Sequence, residues 1–142
     1  MIFLDIETVP DEAAISSRQW AEHKAKKGCD DGAAALSPAF GKVACICAWD
    51  GNSQLFRASG PTEAGLLGDF LRYLSDVRNG TLCGHNIKRF DIPFLACRFL
   101  AAGMAIPPQL NVAGKKPWEV PHIDTCELLR FGGGDMLSLD AA

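Results

Sequence analysis

The first residues constrain this chain more than any other segment. Residues 2–7 read Ile-Phe-Leu-Asp-Ile-Glu, and apolar side chains recur there at every second position. This period of two is typical of a β-strand with one buried face. Asp5 and Glu7 therefore project together from the other face, roughly 7 Å apart. No Lys or Arg is adjacent to them in the sequence, so a divalent cation would relieve their repulsion. The alternative is a strand end that emerges into solvent with two surface acids.

The remaining periodicities predict an α/β fold. Residues 10–40 are polar and Ala-rich and indicate a helical or mobile insertion, whose basic patch at 23–27 is either a solvated face or a phosphate contact. The later segments alternate between strand and helix patterns. We expect a hairpin from 42–49 and 53–58, helices over 62–77, 92–102 and 125–131, and a short strand over 81–84.

Length and charge exclude several classes of protein. The chain has 142 residues, enough to bury a core without disulfides or a structural metal. Its net charge of −3 excludes a protein that coats phosphate backbones with positive charge, so any nucleic-acid chemistry must come from a local site. The longest apolar run, 99–106, is far shorter than the ~20 residues that span a bilayer. Because the N-terminus also lacks the basic start of a secretory signal, we expect a cytoplasmic protein without a membrane partner.

The six cysteines do not suggest a zinc site. Cys45 and Cys47 are two residues apart in a predicted strand, so their side chains share a face and do not form a CxxC turn. The Cys and His residues elsewhere lack the spacing of structural zinc sites. We interpret the cysteines as free thiols that pack as small hydrophobic side chains.

A second group of polar residues lies in the segment 84–95, Gly-His-Asn-Ile-Lys-Arg-Phe-Asp-Ile-Pro-Phe-Leu. Asp91 stands at the start of an apolar helix, and Pro93 suits a first helical turn. A role as N-cap or first-turn acid would explain Asp91 by itself. It would not explain why the preceding turn also carries His, Asn, Lys and Arg.

Together these two segments resemble the DEDD superfamily of 3′–5′ exonucleases. Residues 5–8, Asp-Ile-Glu-Thr, are similar to its first motif, and residues 86–91, Asn-Ile-Lys-Arg-Phe-Asp, to its second. The likeness is to the proofreading-exonuclease-like domains related to family-B DNA polymerases. It extends over nearly the whole chain, because the segments 41–47, 63–70, 122–124 and 137–140 also follow the pattern.

The resemblance implies a ribonuclease H-like α/β fold, with a mixed five-stranded sheet flanked by helices. Residues 1–142 would form one 3′–5′ exonuclease-like domain with an insertion at about 10–40. The implied partner is the 3′ end of a single-stranded nucleic acid, with DNA expected. The implied reaction is two-metal-ion hydrolysis of the terminal phosphodiester, with Mg²⁺ or Mn²⁺ as cofactor and two ions in the complete site.

Catalytic and metal-binding roles carry over to three acids. The resemblance implies that Asp5 bridges the two ions, that Glu7 binds the ion holding the attacking water, and that Asp91 reaches the second ion directly or through water.

Four further residues are implied to hold the 3′-terminal nucleotide: the backbone at Ile6 and Thr8, with Asn86 and Phe90 opposite. For Phe90 the alternative is a place in the core beside the helix start. His85 is interpreted as a hydrogen-bonded turn residue, not as a ligand.

The family's third motif has no counterpart in this sequence. It carries a Tyr or His a few residues before a fourth acid, whereas the single tyrosine, Tyr73, lies inside the helix predicted over 62–77, and no Tyr or His precedes an Asp after residue 124. Asp124 matches a different family position. We therefore expect a domain truncated at its C-terminus, within a helix beginning at Ser138.

The missing motif leaves three hypotheses open. The first is an exonuclease domain whose 142-residue chain is weakly active or inactive. The second is a non-catalytic nucleic-acid-binding or assembly module that retains the fold. The third is self-association, or a partner chain that completes the missing helix.

Overall fold

The computed structural model describes residues 1–52, 55–77, 80–130 and 133. Five strands form one sheet in the order β3-β2-β1-β4-β5. β1 pairs antiparallel with β2, and β2 antiparallel with β3, whereas β1–β4 and β4–β5 are parallel. The strands are β1 (Ile2–Pro10), β2 (Gly41–Trp49), β3 (Leu55–Ala58), β4 (Leu82–Gly84) and β5 (Ile123–Asp124). This mixed sheet with flanking helices confirms the predicted ribonuclease H-like α/β fold.

Helices occupy the connections between the strands. They are α1 (Glu12–Ile15), α2 (Arg18–Lys27), α3 (Glu63–Asp76), α4 (Asp91–Ala101) and α5 (Thr125–Leu129), with 3-10 turns at Asp31–Leu36 and Pro117–Glu119. The segment 10–40 is thus helical over much of its length. α4 begins at Asp91, one residue before the predicted start. The helix expected from Ser138 lies outside the described residues. None of the helices in the described ranges is long and apolar enough to cross a membrane.

The alternation along β1 is confirmed. Ile2, Leu4 and Ile6 are buried, whereas Asp5 and Glu7 are exposed on the opposite face. A core forms where the buried face of the sheet packs against α3 and α4, because each helix presents one apolar stripe to it. Thus β1 carries its two acids on the face directed away from this core.

The insertion is fixed against the C-terminal end of β1. The hydroxyl of Thr8 donates a hydrogen bond to the carbonyl oxygen of Ala35 at 2.7 Å. At Gly41 a Cβ atom would lie 2.7 Å from the carbonyl oxygen of Ala34, so only glycine permits this close backbone contact. Arg98 of α4 adds a third tie, from its Nη1 to the carbonyl oxygen of Pro38 at 2.9 Å. These contacts place the 3-10 turn of the insertion beside the end of β1.

Candidate active site

The candidate site lies where β1 and the short strand β4 separate. The parallel ladder pairs Ile2 with Leu82 and Phe3 with Cys83, and the chain then turns away after Gly84. A Cβ atom at Gly84 would lie 2.6 Å from the carbonyl oxygen of Leu4, so a side chain there would push the two strands apart. After Phe3, the edge of β1 that faces β4 has no strand partner within the described residues, and another element can contact it.

The turn 85–90 brings α4 to that edge. Asn86 adopts a left-handed backbone conformation with φ of 59°, which Asn tolerates better than most residues. Its carbonyl oxygen accepts hydrogen bonds from the N–H groups of Arg89 and Phe90 at 3.1 and 3.0 Å. The next side chain, Ile87, is fully buried in the core. The turn is therefore tightly folded and directs the first residue of α4 toward β1.

Asp91 takes the place of a strand partner on the open edge. Its side chain is 4% exposed, and its Oδ1 accepts a hydrogen bond from the N–H of Ile6 at 3.1 Å. The N–H of Ile2, on the same edge of β1, donates to the carbonyl oxygen of Thr81. The second motif thus contacts the first at the residue between Asp5 and Glu7.

The electrostatic surroundings of Asp91 disfavour its negative charge. Burial raises the pKa of Asp91 to about 7, against the opposing effect of a hydrogen bond from its own backbone. The charges of Asp5 and Asp124 raise the pKa further, and the N–H of Ile6 lowers it. A carboxylate that is costly to ionise beside other acids is stabilised by a nearby cation. Such perturbed acids are frequent at functional sites.

The register of the sheet changes beside Glu7. Across β2, Asp5 faces Cys47 and Glu7 faces Cys45, and the pairing then shifts between Glu7 and Thr8, as at a β-bulge. Bulges re-aim side chains and are frequent next to active sites. The two cysteine sulfurs are 3.8 Å apart, as expected for side chains that share a face. This face of the sheet therefore carries the two acids and the two thiols together.

The donor chemistry of Asp5, Glu7 and Asp91 fits a hard divalent cation. All three offer carboxylate oxygens, the ligands that Mg²⁺ and Mn²⁺ prefer. Within the described residues, however, no three Asp, Glu, His or Cys side chains are grouped closely enough to hold a metal ion. The fold thus brings the acids together at the C-terminal half of the central strand β1 without forming a closed set of ligands there.

An apolar cavity of about 490 Å³ opens beside Asp5. The rings of Phe3 and Trp49 stack in its wall, with centroids 5.5 Å apart. Leu55 and His85 are also among the residues that line it. A concave surface of this kind accepts flat rings or apolar side chains.

A comparison with protein families identifies the group to which this architecture belongs. The family model for the exonuclease domain of family B DNA polymerases matches residues 38–117, more than half of the chain. The chain belongs to this family. The match includes the hairpin, α3, the turn with Asn86 and Asp91, and α4, whereas β1 with Asp5 and Glu7 precedes it. No curated protein matches the chain.

The four residues expected to hold a nucleotide each have a different environment in this exonuclease-family domain. The N–H of Ile6 is bonded to Asp91, and the hydroxyl of Thr8 to the insertion. Phe90 packs against Phe94 of α4, with ring centroids 5.5 Å apart, and is partly buried against the core. Asn86 is half-buried within its turn. The structure thus gives Ile6, Thr8 and Phe90 contacts within the fold itself.

Sequence reasoning missed the importance of Asp124. This carboxylate is 3% exposed and accepts hydrogen bonds from three backbone N–H groups, those of Asn86 at 2.8 Å, Lys88 at 3.1 Å and Cys126 at 3.0 Å. The signal available in the sequence was its position before a short helix with Glu127 in the first turn, a pattern typical of an N-cap.

The single tyrosine of this exonuclease-family domain lies away from the site. Tyr73 is buried in the core, where its ring stacks on Phe56 with centroids 4.9 Å apart. It also stacks on Phe70, one helical turn earlier in α3. The position of Tyr73 is therefore that of a core residue, as its place in the predicted helix suggested.

Proposed function

We propose that this domain is a metal-dependent 3′–5′ exonuclease that hydrolyses the terminal phosphodiester of single-stranded DNA. The observation that carries the proposal is the hydrogen bond from Ile6 N–H to Asp91 Oδ1, because it joins the two acidic motifs beside the C-terminal half of the central strand β1. Membership of the exonuclease family supports the same reaction class. A cytoplasmic location, expected from the N-terminal sequence, belongs to the same proposal.

Asp5, Glu7 and Asp91 would hold Mg²⁺ or Mn²⁺, with two ions in the complete site. When bound, the ions neutralise the charge of the phosphodiester and make water a stronger nucleophile at neutral pH. Asp5 and Glu7 are exposed on their face of β1 and are accessible to a phosphate group. Asp91 is held in one orientation by Ile6, which prepares its carboxylate without a rearrangement on binding.

A single strand fits the site better than a duplex in this proposal. The stacked rings of Phe3 and Trp49 beside Asp5 offer an apolar surface for an unpaired terminal base. Asn86, half-buried in the turn before Asp91, would contact the sugar or phosphate from the other side. Recognition would be local, since the chain as a whole is acidic.

We expect slow turnover by the 142-residue chain. The family pattern uses a fourth acid with a Tyr or His before it. Tyr73 does not fill that position, because its side chain packs in the core. A second copy or a partner chain that supplies the fourth acid would raise the rate. Because a missing acid lowers the rate without changing the reaction, hydrolysis is best measured with the protein in excess over substrate.

The experiment that tests the proposal follows a single-stranded oligonucleotide labelled at either end, with Mg²⁺ or Mn²⁺ present. We expect stepwise shortening of the 5′-labelled strand and release of the 3′ label as mononucleotide. Asp5→Ala should abolish both, and chelation of the metal should do the same. Glu22→Gln, which changes an exposed acid of α2, is the matched control and should leave the rate unchanged. An RNA strand of the same sequence tests the DNA preference.

A second candidate function is a non-catalytic nucleic-acid-binding module. The observation that favours it is that Asp91 is buried and accepts the backbone N–H of Ile6. This structural role alone would explain an acid at position 91. This function predicts single-strand binding that neither metal nor Glu7→Gln alters. Loss of a measurable Mn²⁺ affinity in Asp5→Ala would contradict it.

A further inference from the structure

We propose that Asp124 is a positioning residue of this active site, whose carboxylate holds the turn 85–90 in the conformation that places Asn86 and Asp91 against β1. The inference deepens the proposed function and rests on it for its catalytic meaning. Its structural part, the coupling of Asp124 to the contact between Asp91 and Ile6, is testable without metal or substrate.

Asp124, at the end of β5, accepts hydrogen bonds from two backbone N–H groups of the turn. Oδ1 accepts from the N–H of Asn86 at 2.8 Å, and Oδ2 accepts from the N–H of Lys88 at 3.1 Å. Both donors are more than 35 residues earlier in the chain. Hydrogen bonds to an ionised acceptor are stronger than those between neutral groups, and the carboxylate of Asp124 is almost fully buried. The turn is therefore fixed at two of its backbone positions by one side chain.

An N-cap role alone does not account for these contacts. Capping of α5 requires only the bond from Cys126 N–H to Oδ1 at 3.0 Å. The bonds to Asn86 and Lys88 contribute nothing to that helix. Direct metal ligation is also disfavoured, because both oxygens of Asp124 already accept backbone N–H groups. Its charge is near enough to Asp91 to raise the pKa of that group, which agrees with a place directly behind the site.

Helix α5 adds three further contacts, one with the end of β4 and two with the same turn. Thr125 Oγ1 is 3.3 Å from the carbonyl oxygen of Gly84 and 3.0 Å from His85 Nδ1. Lys88 Nζ forms an ion pair with Glu127 Oε2 at 2.9 Å, and the lysine side chain is only 12% exposed. The corner between β5 and α5 thus contacts the turn from its first residue to Lys88, with Asp124 at the centre.

The conformation of the turn determines where α4 begins. Asn86 is held in its left-handed conformation, and its carbonyl oxygen accepts the N–H of Phe90 at 3.0 Å. The carbonyl oxygen of Ile87 accepts the N–H of Ile92 at 3.0 Å, inside the first turn of the helix. Asp91 lies between these two donors. Release of the N–H groups of residues 86 and 88 would therefore shift the carboxylate of Asp91 away from Ile6.

The experiment compares two substitutions at N-cap aspartates. In Asp124→Ser the hydroxyl still caps α5, but it is too short to accept the N–H groups of Asn86 and Lys88. Asp30→Ser makes the same change at the aspartate that caps the 3-10 turn of the insertion. The readout is the backbone amide resonance and hydrogen exchange of Ile6, measured without metal. We expect the Ile6 amide to shift and to exchange about tenfold faster in Asp124→Ser, and to remain as in wild type in Asp30→Ser.

A second measurement connects the turn to the metal site. Loss of a partner that orients ligands typically weakens metal binding by about tenfold or more. We expect that loss of Mn²⁺ affinity in Asp124→Ser and wild-type affinity in Asp30→Ser. If wild type itself binds no Mn²⁺, the proposed function fails, and the Ile6 amide still decides the positioning role.

An unchanged Ile6 amide in folded Asp124→Ser would overturn the inference, because it would reduce Asp124 to a helix cap that Ser replaces. Should Asp124→Ser fail to fold, the resonance and hydrogen exchange of the Ile6 amide are measured in Asp124→Asn instead. Its amide keeps the size of the side chain but turns an NH₂ group toward one of the three donors. A wild-type Ile6 amide in Asp124→Asn would likewise overturn the inference.

Discussion

At the scale of single residues, the site depends on Asp91 filling two roles. Its Oδ1 satisfies the N–H of Ile6 on an edge of β1 that β4 has left, and its charge adds to the negative potential beside Asp5. The first role stabilises the fold, whereas the second opposes it in the absence of a cation. A substitution that keeps the hydrogen-bond acceptor of Asp91 but removes its charge therefore distinguishes the two roles.

We predict that Asp91→Ala destabilises the fold and that Asp91→Asn does not. Without metal, Asp91→Asn should be at least as stable as wild type, because the amide oxygen still accepts the N–H of Ile6 and the buried charge is gone. Asp91→Ala leaves that N–H unsatisfied and should lose about 1–3 kcal/mol of unfolding free energy. Urea denaturation measures both. Equal destabilisation of the two variants would show that the acceptor is not what Asp91 contributes.

Sequence reasoning succeeded and failed at this scale for physical reasons. Asp5 and Glu7 could be placed on one face because strand alternation is a local property of the chain. Asp124 could not be recognised as a partner of the turn, since its donors at Asn86 and Lys88 become neighbours only when β4 and β5 pair.

At the scale of elements, a partly buried ion pair joins three parts of the fold. Arg98 of α4 contacts Glu63 of α3 through Nε at 2.9 Å and Nη2 at 2.6 Å, and both side chains are 14% exposed. Glu63 also accepts the N–H of Val43 in β2 at 2.7 Å. Glu63 raises the pKa of Arg98, although burial opposes it. The pair therefore fixes the two helices relative to the sheet.

We predict that Arg98→Met lowers the unfolding free energy by about 3 kcal/mol, because it leaves the partly buried Glu63 without its cation. The double substitution Glu63→Gln with Arg98→Met should recover part of that loss. Urea denaturation of the single and double variants measures the coupling. A loss below about 0.5 kcal/mol for Arg98→Met would mean that the pair behaves like an exposed one.

A histidine links β4 to the Pro-rich connection that precedes β5. His122 Nδ1 accepts the N–H of Leu82 at 3.1 Å, so the ring is neutral and its Nε2 donates to the carbonyl oxygen of Gln109 at 2.7 Å. Burial lowers the pKa of His122, with the nearby cations Lys115 and Lys88 acting in the same direction and the bond to Gln109 opposing. Protonation of Nδ1 would break the bond to β4.

The pH dependence follows from the direction of that shift. Because the folded pKa of His122 lies below the unfolded value of about 6.5, the unfolded chain binds the proton first as pH falls. The stabilisation is complete above pH 6.5 and is lost as pH falls through the folded pKa. We predict that His122→Gln has a shallower decline of unfolding free energy from pH 7 to pH 5 than wild type or His23→Gln. Equal slopes in all three proteins would contradict this.

The elements themselves were largely predictable, because each depends on local periodicity and caps. The helix expected over 62–77 begins after an N-cap at Thr62, whose Oγ1 accepts the N–H of Gly65 at 3.3 Å. The arrangement of the insertion was not predictable. Its 3-10 turn is held by tertiary contacts, the hydroxyl of Thr8 and the close approach of Gly41, which no local pattern reveals.

At the scale of the whole molecule, the topology explains how a mildly acidic chain could host the proposed nucleic-acid site. The parallel pairing of β1 with β4 brings the first acids of the chain beside a turn more than 75 residues later. The resulting cluster is local, so the overall charge of −3 does not oppose it. The fold could be predicted because two motifs and their intervening elements agreed, and the family match over 38–117 supports it.

A Mn²⁺ titration of the chain, followed by electron paramagnetic resonance of the free ion, shows whether the strand acids bind a metal. We expect saturable binding to wild type and at least tenfold weaker binding to Asp5→Asn and Glu7→Gln, because each variant loses a charged oxygen ligand. The exposed-acid control Glu22→Gln should bind as wild type does. Equal Mn²⁺ affinity in all four proteins would contradict the claim that these strand acids form the metal site of an exonuclease.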